Sequence, residues 1–146
     1  MGKFLEAVLA IVTAAGQLER LKQRGAHFTL HIENGDYMPL VIEAWDSPIT
    51  GEGRRISVAH YRNVEGDLVG DPEVEIRDDG FPIELTQLDW YTPVVAYYDE
   101  RGTQWFYDRA LRDVRNFLDT IWGPNLLAQG FVQAAQRQMA ETAVVA

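Results

Sequence analysis

Twice along this chain the spacing of apolar residues changes, and no other feature restricts the fold as much. Before Gly25 they recur at three to four positions: Phe4, Val8, Ile11 and Ala15 make one stripe, with Leu5, Leu9 and Val12 alongside. That is the pattern of a helix laid on a core. From His27 the period drops to two, with Phe28, Leu30 and Ile32 alternating with His27, Thr29, His31 and Glu33. A strand with one buried face has this signature. After Tyr107 the helical spacing returns through Ala110, Val114, Phe117 and Ile121. Helix, then strands, then helices is an α+β order, with the helices packed on one face of an antiparallel sheet.

The first helix is predicted over 3–24, with Lys22 and Arg24 at its carbonyl end and Gly25 closing it. Extended segments are predicted over 27–33, 38–45, 55–61, 73–77, 82–90, 94–98 and 103–107. Turn residues separate them at Asn34-Gly35-Asp36, in the loop 46–53, and at 63–67 and 78–80. The result is a five- to seven-stranded meander. A second helix is expected over 107–121, a break at Gly123-Pro124-Asn125, and a third helix over 126–141 with 142–146 frayed. At 146 residues the chain is expected to form one acidic domain, 1–146.

Glu6 interrupts the N-terminal apolar run, so the segment reads as an amphipathic helix in preference to a secretory signal. No stretch approaches the roughly 20 apolar residues that cross a bilayer. The chain has no cysteine, which removes thiolate chemistry and cysteine-held metals. A cytoplasmic location without membrane contact is expected.

The acid is concentrated in the strands. Residues 33–100 carry 16 Asp and Glu against 4 Arg and no Lys, in a chain of net charge −9. Such a block repels phosphate backbones and attracts cationic surfaces. Arg109, Arg112 and Arg115 interleave with Asp108, Asp113 and Asp119, so they make no phosphate track, and direct nucleic-acid binding is not expected.

If the apolar side of the sheet meets the helices, the other side faces water. There and in its turns we expect a binding surface of Glu33, Asp36, Tyr37, Glu43, Trp45, Tyr61, Asp67, Asp71, Glu73, Glu75 and Trp90, because aromatic anchors among charge mark protein-binding surfaces. A merely solubilising face is the plainer reading. The alternative function is a metal-dependent hydrolase of a phosphate-containing substrate, with His60, Asp67, Asp71 and Glu73 as ligands or base. That spacing matches no EF-hand loop, and Asp67 and Asp71 are equally at home in turns. His27-Phe28-Thr29 matches one His-x-Thr element of the two-histidine phosphoesterases, but no second copy follows. Nucleophile, phosphate-loop and dinucleotide signatures are absent, and no cofactor is expected. The third helix is a candidate for homodimer contacts.

Four short blocks carry a family resemblance: Tyr37-Met38-Pro39-Leu40-Val41-Ile42-Glu43, Ile56-Ser57-Val58-Ala59-His60-Tyr61, Gly66-Asp67-Leu68 and Asp71-Pro72-Glu73. Together they resemble an uncharacterised domain family of bacterial plasmids, integrative elements and phage-related islands. The similarity covers residues 29–102 and leaves both terminal helices outside. Val69 and Val74 stand where that family commonly has Met. The resemblance implies no established activity. Its setting implies an accessory role in transfer or in defeating host defences, as a non-enzymatic inhibitor of a basic protein or nucleic-acid-binding complex.

Overall fold

The computed structural model describes residues 2–88 and 90–145, with side chains described through Thr142. Six strands form one antiparallel sheet in sequential order: β1 (Phe28–Asn34), β2 (Tyr37–Asp46), β3 (Arg54–Val64), β4 (Asp67–Arg77), β5 (Pro82–Gln87) and β6 (Trp90–Pro93). A hairpin of β7 (Val95–Tyr98) and β8 (Gln104–Phe106) makes a second, small sheet. Helices α1 (Lys3–Ala14) and α2 (Leu18–Lys22) precede the strands. After them come α3 (Asp108–Phe117), a π-helical turn (Leu118–Trp122), α4 (Gly123–Ala128) and α5 (Phe131–Val145). The architecture is the expected α+β one, with a six-stranded meander.

The apolar ladder across the sheet decides which face is covered. Leu30 pairs with Ile42, Ile42 with Val58, Val58 with Val74 and Val74 with Leu85. Val8, Ile11 and Val12 of α1 and Phe131 of α5 are fully buried in the same core. Each such side chain contributes about 1.5–3 kcal/mol by leaving water. Helix α1, the run with a signal-like look, is the centrepiece of this layer.

Several boundaries differ from the sequence reading: β3 runs on to Val64 and β4 begins at Asp67 instead of 73, and α3 ends at Phe117. The first helix stops at Ala14, because Gly16 takes a left-handed φ of 72° while its N–H and that of Gln17 close on Thr13 and Val12. This is a glycine helix stop nine residues before the expected one. The segment 82–90 is not one strand: Leu88 sits at φ 55° and donates its N–H to the Gly70 carbonyl, so the chain turns back as β6. Gly123-Pro124 does not break the helical run: the π-helical turn leads straight into α4, with the proline in the first turn of α4. The break comes instead at Gly130, with φ 84°. Helix α5 continues past Thr142, where fraying was expected, to Val145, and Ala146 lies outside the described residues.

Candidate docking surface

Strand alternation sends a second set of side chains to the face away from the helices. One cross-strand row runs Thr29, Glu43, Ser57, Glu75, Glu84, and the next runs His31, Val41, Ala59, Glu73, Thr86, Tyr91. Glu75 and Glu84 are direct cross-strand partners, an arrangement that repels.

Arg55 enters this face from β3, with Arg77 as its cross-strand neighbour on β4. Arg55 is buried, 6% exposed, and its Nε and Nη1 each donate at 2.5 Å, to Glu52 and Glu75 respectively. Its Nη2 donates to the Tyr98 hydroxyl at 2.7 Å. The turn at Gly102 packs on Ile49 and Thr50, so loop 47–53 and the β7–β8 hairpin cover this end of the face. The expectation of a wholly bare face therefore holds only for the remainder. Burial raises the Glu75 carboxyl above its usual range, with Glu84 and Glu52 adding to the rise and Arg55 opposing it.

Beyond Arg55 the carboxylates are fixed by hydroxyls. Tyr61 donates to Glu73 at 2.8 Å and Tyr91 to Glu84 at 2.7 Å. The Glu84 carboxylate pushes the Tyr91 phenol up to about 12, while burial, followed by the bond to Glu73, raises that of Tyr61. Both phenols remain donors at any physiological pH. Among the described residues, Glu43, Glu73 and Glu84 make no ion pair. The result is a strip of three uncompensated carboxylates, two of them oriented by tyrosines, beside an Arg55 cluster that itself carries one surplus negative charge.

Of the residues expected on this surface, Glu43, Tyr61, Glu73 and Glu75 come together in the strip. Trp45 flanks it, half-buried and stacked on His27 with centroids 6.3 Å apart. Glu33 pairs with His31 at 2.9 Å on exposed edge strand β1. Asp36 and Asp67 are exposed at hairpin turns, and Asp71 pairs with Arg62 at 3.1 Å. Tyr37 leans toward α5, its ring 6.4 Å from Phe131. Trp90 opens on the other side, lining a cavity of about 550 Å³ with Leu85, Tyr107 and Phe117 beside α3. Glu84 and Tyr91 of the strip, and Arg55 and Tyr98 of the cluster beside it, were missed. Their parity along the strands was readable, but the β5–β6 turn that aligns Tyr91 with Glu84 was not.

The metal-ligand set does not converge. His60 points into the core, 7% exposed, with the Trp122 and Phe131 rings at 5.9 and 5.6 Å and Nδ1 donating to the Pro39 carbonyl at 3.0 Å. Burial holds its imidazole below the usual 6.5. Glu73 lies on the opposite face and Asp67 at a hairpin tip. Among the described residues no three His, Asp or Glu side chains gather closely enough to hold a metal ion. The reason is parity: His60 shares its strand face with Ile56 and Val58, whereas Glu73 pairs with Ala59. His27 and His60 are likewise on opposite faces.

A cavity of about 300 Å³ brings Arg77 and Arg115 to 4.7 and 5.1 Å from the Phe81 ring centroid. Asp79 binds Arg77 and the Phe81 N–H, and Asp119 on the π-helical turn caps the Phe4 N–H. The arrangement stitches α1 to the β4–β5 turn.

A family model described as Domain of unknown function (DUF6908) matches residues 6–132. The chain belongs to this family. The match takes in most of α1, the whole meander and the helical run to the start of α5, so the similarity reaches well beyond the 29–102 that the sequence blocks indicated. No curated protein and no solved structure matches the chain. Among the described residues, no helix is long and apolar enough to cross a membrane.

Proposed function

We propose that this DUF6908 chain is a non-enzymatic docking module that binds a cationic protein surface through the Glu43–Glu73–Glu84 strip. One observation carries the reading: among the described residues these carboxylates make no ion pair, and two of them are held in place by tyrosine hydroxyls. A face meant only for solubility has no need of oriented carboxylates, whereas a recognition surface gains from them because less freedom is lost on binding. Long-range attraction then speeds encounter and makes it salt-sensitive. The setting implied by the sequence resemblance gives the partner as a basic, nucleic-acid-binding protein of the host of a mobile element, occupied in place of its nucleic acid.

The test is capture on immobilised chain at low and high salt, followed by competition. A partner retained at low salt, released at high salt and displaced by duplex DNA or RNA is the expected result. Retention indifferent to salt, or no specific partner at all, overturns the reading.

A further inference from the structure

We propose that the outward side of the β7–β8 hairpin is the part of this surface that reads arginine, so that the partner's contacting segment is arginine-rich rather than lysine-rich. This inference rests on the docking reading above. Tyr97 and Trp105 are cross-strand neighbours whose rings stack 5.9 Å apart and 13° from parallel. They remain 57% and 53% exposed.

The inward side of the hairpin is already filled. Tyr98 reaches Arg55, and Phe106 packs edge-on against Phe81 at 5.4 Å. The stacked pair is therefore left facing water.

The chemistry of its surroundings says what would cover it. The hairpin belongs to a chain of net charge −9, and its own turn carries Asp99 and Glu100 beside Arg101. Immediately beside the stack, the molecule shows the arrangement in miniature: the Arg55 guanidinium lies 5.9 Å from the Tyr98 ring centroid, with Glu52 and Glu75 as counter-charges. A second guanidinium, supplied by the partner, meets aromatic faces of the same kind on the outer side of the hairpin. A planar guanidinium stacks flat on such rings and pairs bidentately with a carboxylate, whereas an ammonium is a hydrated point charge that gains less from either.

Titration of the full chain with labelled homopeptides of arginine and of lysine, equal in length, decides the point. Both peptides bind with an affinity that falls as salt rises, and the arginine peptide binds about three- to fivefold more tightly. Trp105→Leu and Tyr97→Leu, which keep an apolar side chain on an exposed strand position, each erase that preference and leave lysine-peptide affinity unchanged. Equal affinity for the two peptides, or a preference that survives both substitutions, overturns this inference while the docking reading stands. Failure of either peptide to bind in a salt-dependent way overturns the docking reading itself, and this inference with it.

Discussion

His60 shows how one residue's meaning is set by the face it occupies. In the sequence it stands among Asp67, Asp71 and Glu73 and invites a catalytic role; in the fold it is a core histidine. The parity of Ile56, Val58 and His60 was the available signal, and it outweighs proximity along the chain. Because burial depresses its pKa below 6.5, the unfolded chain takes up this proton before the folded one does. Stability is therefore lost as pH falls below about 6.5, until the folded-state value is passed. His60→Leu should abolish that loss, measured as urea-unfolding free energy against pH. At neutral pH it should cost about 1–3 kcal/mol through the orphaned Pro39 carbonyl. Gly123 is constrained in another way: an added Cβ would sit 3.0 Å from both the Phe4 Cα and the Leu118 carbonyl oxygen. Neither is a flexible side-chain tip, so Gly123→Ala should destabilise by roughly 1–3 kcal/mol as α1 and α4 are forced apart. A denaturation midpoint unchanged from wild type would contradict that.

At the scale of elements, alternation and helical periodicity were legible, and the joints between elements were not. Period two marks a strand wherever one face is buried, so β1 to β4 stood out. The β5–β6 turn lacked any glycine or proline to announce it, because Leu88 supplies the positive φ. Gly123-Pro124 announced a break that tertiary packing overrides, with a π-helical turn carrying the chain into α4. One joint depends on a single buried cation. Arg54, 3% exposed, donates to the Leu21 and Ala26 carbonyls at 2.8 Å each and to Asp46 at 2.9 Å. It thereby fastens α2 and the connector before β1 to strand β3. Arg54→Met keeps the stem's packing and removes all three donors. We expect a loss of about 3 kcal/mol, with amide exchange over 18–26 accelerating more than exchange in the central strands. Uniform acceleration across the molecule would show that Arg54 supports the whole fold and not this joint.

Across the whole molecule the charge is divided by role. Asp46 at the end of β2, Asp71 within β4 and Asp79 in the β4–β5 turn have arginine partners, while among the described residues Glu43, Glu73 and Glu84 on the outward face of the sheet have none. The sequence showed that acid predominated between 33 and 100, and the alternation placed much of it on one face. Only the fold shows which carboxylates are neutralised, since Arg55 meets Glu75 across 20 residues and Tyr98 across 43. Replacing Glu43, Glu73 and Glu84 together by Gln separates the two roles. If these side chains served the fold, the triple variant should be less stable. If they serve binding, removing three like charges from one face relieves repulsion, notably that of Glu84 on Glu75. The variant should then be as stable as the parent or slightly more so at low salt. Affinity for a cationic partner should fall about tenfold, taking roughly half a kcal/mol for each charge removed, and the salt dependence of binding should flatten. Thermal unfolding and binding titrations on the same samples at two ionic strengths check both halves. Loss of stability with unchanged affinity would assign the strip to folding and remove the basis for a docking function.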